Sequence, residues 1–144
     1  MIETQDPPSY KNYIGSILAG GAFCMFFGGT LLDALFACLF GALICFLQYK
    51  LAPLTPNKIF FLFAGSLITG VAICLVAKLV PGLNIDKIII GDIMLLIPGI
   101  AITNAVRDTL IGDTISGITK LADSLVWAAS LAAGIMTAIF LFAR

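Results

Sequence analysis

The stretch PGIAITNAVRDTLIGDTISGITKLAD, residues 98–123, decides how the rest of the chain is read. It holds five of the sixteen charged residues, Arg107, Asp108, Asp113, Lys120 and Asp123, in a chain dominated by apolar runs. The unbroken apolar segment 93–97 leads directly into it, and another, 125–142, follows. Ionisable groups held between segments that prefer hydrocarbon are costly to keep, and a function is the usual reason for them.

Composition sets the class. Of 144 residues, 60% are hydrophobic and 11% charged, and the mean hydropathy is +1.10. A water-soluble globule is roughly half apolar and about a quarter charged, so the expectation is an all-α integral membrane protein embedded in a lipid bilayer. The formal net charge is zero and no basic cluster is present, which gives no sign of a nucleic-acid partner or a polybasic lipid anchor. Histidine is absent, removing the commonest metal ligand and the commonest general base. Cys24, Cys38, Cys45 and Cys74 lie inside apolar runs without C-x-x-C spacing, so they read as small apolar residues. No metal site, cofactor or catalytic residue is expected.

The apolar runs and their interruptions predict a bundle of five transmembrane helices. Residues 1–12, acidic and polar with Pro7-Pro8, form a solvent-exposed lead-in unlike a signal peptide. The five-span domain 13–144 then divides at about 13–32, 33–50, 59–80, 87–106 and 113–143. The first span is rich in Gly and Ala, which lets helix backbones approach closely in a membrane. Gly28-Gly29-Thr30 is too short for a large loop, so spans one and two form a tight hairpin. Asp33 reads either as the N-cap of the second helix or as a charge facing a solute path. The loop 50–58 carries two prolines and two lysines. The run 59–80 is long enough to cross about 30 Å of hydrocarbon, and Lys78 near its end is placed to snorkel.

The fourth span has Asp92 in its first turns and Pro98-Gly99 in its middle. Proline removes a backbone hydrogen bond and clashes with the preceding turn, so this helix should kink or unwind there. Broken backbone at membrane depth is tolerated where protein covers it or where it lines a wet cavity. Beyond it, Leu110, Ile111, Ile115, Ile118, Leu121, Ala122 and Leu125 recur at helical spacing opposite Asp113, Ser116, Lys120 and Asp123. Gly112-Asp113 supplies a helix stop followed by an N-cap, and Ser130, Gly134 and Ala138 repeat every fourth residue as a close-packing face.

With the N-terminus in the cytoplasm, Lys11, Lys50, Lys58, Arg107 and Lys120 fall inside and Lys78, Lys87 and Arg144 outside, which favours N-in and C-out. An odd span count would invert a second copy, and inverted repeats are a common transporter architecture. Thr103 and Arg107 are four apart, as are Asn104 and Asp108, so on a helix each pair shares a face. Arg107 can grip a carboxylate through a two-pronged hydrogen bond, with Thr103 or Asn104 beside it. Asp92, Asp108 and Asp113 are candidates for an amino group or for a transferable proton. The opposing reading is that the charges only pair with one another on a cytoplasmic loop. The helix break and the amphipathic segment favour a solute site, opening toward the cytoplasm.

Residues 98–134 resemble the signature of the threonine/serine exporter family: Pro98-Gly99, then Thr103-Asn104-x-x-Arg107-Asp108, then Gly112-Asp113-x-x-Ser116-Gly117. FFGGTLLDALFACLFGAL, residues 26–43, is similar to the family's first hairpin. The resemblance implies a secondary exporter or antiporter of small amino acids, or in some branches of dicarboxylates such as succinate, in the bacterial inner membrane. Taken with the residue chemistry above, solute binding is expected at Thr103, Asn104, Arg107, Asp108, Asp113 and Ser116, and coupling or structural roles at Asp33, Asp92, Pro98, Gly99, Gly112 and Gly117. Family members are one chain with two membrane halves or two separate subunits, so a second half, a second subunit or a homo-oligomer is expected. The family's soluble region before the first span has no counterpart here, and the chain reads as the C-terminal membrane portion. The competing expectation is a membrane subunit that only scaffolds a partner. An intramembrane enzyme is disfavoured because no nucleophile–base pair or metal-ligand spacing is present.

Overall fold

Two glycine-closed turns set the path of the chain. In the computed structural model, which describes residues 10–97 and 99–142, α1 spans Tyr10–Phe26 and α2 Leu31–Leu51. Between them Gly28 has φ +88°, Gly28 N–H donates to Met25 O at 3.0 Å, and Gly29 N–H donates to Cys24 O at 2.9 Å. These are the two bonds of a Schellman stop, which needs a left-handed residue after the helix. The first helix therefore ends well short of residue 32. The same device recurs at Gly112, φ +96°, whose N–H donates to Thr109 O while Asp113 N–H donates to Asp108 O at 2.9 Å. It separates α5, Gly99–Leu110, from α6, Thr114–Phe142.

The remaining helices are α3, Lys58–Leu79, and α4, Ile85–Leu96. Among the described residues there are six helices and no strand. Helices α2, α3 and α6 are each long and apolar enough to cross a membrane, and α4 with α5 makes a fourth candidate if that pair, bent by 51°, is one span. α4 ends at Leu96 and α5 starts at Gly99. Pro98 itself, most of the expected lead-in and residues 143–144 lie outside the described residues.

Small residues bring the helices together. α1 runs antiparallel to α2, with Gly20 against Ala37 O and Gly21 against the Cys38 thiol. α3 and α6 run in the same direction. Ser130 Oγ donates to Ile59 O at 2.9 Å, Gly134 sits on Phe63 O and Leu67 N, and Gly70 meets Ala138. The Ser130, Gly134, Ala138 face expected for close packing is thus the one that meets α3. At its two ends Lys58 lies over the Trp127 ring at 3.7 Å and Lys78 over Phe142 at 5.1 Å. Between the pairs lies α4, whose Ile88 and Ile89 join Cys24, Ala37, Phe40, Ile73 and Ile135 in one core cluster, while Leu96 joins Ile44, Leu62 and Leu131 in a second.

This register fixes where the charged stretch goes. At 1.5 Å per residue α3 is about 33 Å long, close to the hydrocarbon thickness, whereas α6 is about 43 Å. Only the part of α6 from Trp127 onward lies beside α3. Its first 13 residues extend about 20 Å past the start of α3, and α5 folds back against them.

A Cβ on Gly134 would fall 2.7 Å from Phe63 O, so Gly134→Val should force α3 and α6 apart, costing about 1–3 kcal/mol by overpacking. Ser130→Ala removes one interhelical hydrogen bond, worth about 0.6 kcal/mol in a membrane protein. Thermal unfolding in detergent should therefore rank Gly134→Val well below Ser130→Ala; the opposite order would show that the polar bond dominates this pair.

Candidate functional site

The charged stretch forms a helical hairpin. Gly117 of α6 packs onto Ala105 and Thr109 of α5, so close that a Cβ there would meet Ala105 O at 2.8 Å. Across that seam Lys120 Nζ forms a salt bridge with Asp108 Oδ2, and Ser116 Oγ donates to the same oxygen at 3.5 Å. Asp113 caps α6, its Oδ1 accepting from Ser116 N–H at 3.3 Å, as its position after Gly112 led one to expect. Thr103 Oγ1 donates back to Gly99 O within its own helix.

Of the six residues expected to bind solute, the structure brings three together: Asp108, Asp113 and Ser116. Thr103, Asn104 and Arg107 lie exposed on α5, and among the described residues Arg107 has no carboxylate in salt-bridge range. Ile115, Ile118 and Leu125 are also outward-facing. The hairpin thus closes on the small residues Ala105 and Gly117 with Asp108 and Ser116 beside them, and leaves both an apolar stripe and the polar face of α5 outward.

Asp33 is reassigned. Thr30, not Asp33, is the N-cap of α2, and Asp33 is the third residue of a capping box. Its Oδ2 accepts from Thr30 N–H and Thr30 Oγ1–H, both at 2.9 Å. The same carboxylate reaches across to the residue before α4: Asn84 N–H donates to Oδ1 at 3.0 Å and Asn84 Nδ2 to Oδ2 at 2.9 Å. The side chain is fully buried and serves the starts of two helices at once, where a negative charge also complements both helix dipoles. It is a tether, with its acceptors occupied by the chain. Asn84 was not singled out beforehand, and its position just after Pro81-Gly82 and before an apolar run was the available signal.

Asp92 is the contrasting case. It is 1% exposed, and neither carboxylate oxygen has a hydrogen-bond partner among the described residues. Gly20 of α1 makes room for it: a Cβ there would lie 3.2 Å from Asp92 Oδ1 and 3.0 Å from Ala37 O. About one turn nearer the start of α1, a cleft of about 380 Å³ opens between α1 and α2, lined by Lys11, Asn12, Gly15, Ser16, Cys45, Gln48, Tyr49 and Leu95. Asn12 Nδ2 donates to Tyr49 Oη at 2.7 Å on its rim. None of these lining residues was expected from the sequence, because their polar groups are scattered over three helices.

The family model of the threonine/serine exporters (ThrE) matches residues 1–142. The chain belongs to the threonine/serine exporter family. No curated protein and no solved structure matches it. Membership in this exporter family, together with its apolar helices, makes it a multi-pass membrane protein.

Asp33→Ala would leave the Asn84 and Thr30 donors unpaired in a buried place. Each orphaned donor costs about 1–3 kcal/mol, so the variant should unfold well below the parent in detergent. Asn84→Ala, which leaves the capping box intact, should lose less. Equal losses would mean that the tether between the two helix starts carries the whole effect.

Proposed function

We propose that this chain is one five-span membrane half of a secondary exporter that carries threonine- and serine-like amino acids out across the bacterial inner membrane in exchange for protons. The five spans are α1, α2, α3, the α4–α5 pair and α6, with the N-terminus cytoplasmic. The observation that carries the reading is the family match across the whole chain, and the outward polar face of α5 supports it. Arg107 is suited to the carboxylate that every amino acid presents, with Thr103 and Asn104 one turn away for a side-chain hydroxyl.

The arrangement favours an amino acid over a diacid. Succinate would need a second cation near Arg107, but the hairpin's other cation, Lys120, is held by Asp108. In an amino acid the second charge is an ammonium, for which acidic side chains are the right chemistry. Because α5 packs mainly on α6 and turns Thr103, Asn104 and Arg107 outward, the site is completed by a second membrane half or a second copy set against this hairpin.

The test is counterflow in proteoliposomes with threonine, serine and succinate, using this chain alone and with a second five-span half. Threonine and serine should exchange and succinate should not. Arg107→Ala removes a charge-assisted hydrogen bond of about 1.5–3 kcal/mol and should weaken apparent affinity about 10- to 100-fold without preventing membrane insertion. Undiminished exchange in Arg107→Ala would move the solute site elsewhere, and no exchange by the parent in either arrangement would leave a scaffold subunit.

A further inference from the structure

An ionised carboxylate with no partner is the most expensive group that a buried site can hold, and Asp92 is in that position. Its neighbours offer no counter-charge. α6 shares core clusters with α4 through Leu131 and Ile135 and carries its charges, Lys120 and Asp123, in its first ten residues, on the part that extends past α3; the other helices packed against α4 are α1, α2 and α3. Their charged residues are Lys11 on α1, Asp33 and Lys50 on α2, and Lys58 and Lys78 on α3, all within three residues of a helix end. α4 itself adds Asp86 and Lys87 in its first turn. The other ionisable groups on these helices are Tyr10, Tyr13 and Tyr49 at the cleft end, and the thiols Cys24, Cys38, Cys45 and Cys74. In this packing, then, an ionised Asp92 would have neither a counter-charge nor a hydrogen-bond donor.

Gly20 faces the carboxylate and Gly91 precedes it, and at both of these and at Gly41 backbone meets backbone. A Cβ on Gly91 would fall 2.8 Å from Gly20 O, and one on Gly41 would fall 2.7 Å from Ser16 O. These small residues let α1 sit close on α2 and α4 right beside the carboxylate. The polar cleft stops one helical turn away: Ser16 is four residues before Gly20, Cys45 four after Gly41, and Leu95 three after Asp92, a separation of about 5 Å along the helices.

We propose that Asp92 is the residue that binds and releases the coupling proton, and that the α1–α2 cleft, which ends one helical turn away, is its route to water. With the cleft extended by that one turn, water reaches the carboxylate, which is then ionised and takes a proton from hydronium to give the acid and water. With the turn closed, only the neutral acid fits. The word coupling rests on the exporter reading above; the proton site and its route do not.

Two measurements separate the site from that reading. In proteoliposomes the ratio of threonine uptake with a pH gradient to uptake without one should exceed unity for the parent chain and fall to unity for Asp92→Asn; gradient stimulation equal to the parent's would overturn the assignment. Independently of transport, infrared spectroscopy of the purified protein should show a protonated-carboxyl C=O band that Asp92→Asn lacks, and an identical band in both proteins would overturn the proposal. If Asp92→Asn or the parent carries no flux at all, the infrared result decides. In D2O the band shifts as the proton exchanges, and Ser16→Trp, which fills the cleft, should slow that shift severalfold. The same rate in both would remove the cleft as the route.

Discussion

Inside an apolar shell a polar atom is satisfied by the chain itself or not at all, because hydrocarbon offers it nothing. Asp33 and Asp92 are both fully buried carboxylates on neighbouring helices, and they answer this constraint in opposite ways. Asp33 receives four donors, two from Thr30 and two from Asn84, and so fixes the start of α2 to the start of α4. Asp92 receives none. The fold depends on the first being closed, since the short α4 is positioned at one end by that tether and at the other by Leu96 among Ile44, Leu62 and Leu131.

The rest of the packing follows from the absence of a hydrophobic force between helix and lipid. Association then comes from close dispersion contact and a few interhelical hydrogen bonds, and both are visible. Gly20, Gly41, Gly70, Gly91 and Gly134 each bring a neighbouring backbone or side chain so near that a Cβ would lie 3.0 Å or less from it. Two kinds of interface result. The α3–α6 pair is joined by Ser130, Gly134 and Ala138 with cations over aromatic rings at both ends, whereas α1 meets α2 and α4 through glycines, the buried Cys24 cluster and, at its start, Tyr13 stacked on Tyr49.

Much of this was legible in the sequence, for local reasons. Apolar run length gave the long helices, Gly112-Asp113 marked a stop and a cap, and four-residue spacing on α6 marked its packing face. Asp33 was harder: its distance from Gly28-Gly29 suited an N-cap, but Thr30 took that role and left Asp33 free to reach a residue 51 positions away. The end of α1 was misplaced because apolar character continues through residue 27 while the backbone turns at Gly28. The isolation of Asp92 and the cleft below it depend on which faces of α1, α2 and α4 meet, and no spacing within one helix encodes that.

The outward chemistry of the α5–α6 hairpin bears on how the two candidate regions would act together. Asp92 and Arg107 are carried by successive helices, α4 and α5. α4 is gripped by α1 and α2, and α5 is gripped by α6. On the exporter reading, the proposed proton site and the proposed solute face would therefore lie on consecutive helices, the first buried among α1, α2 and α3 and the second set outward on α6.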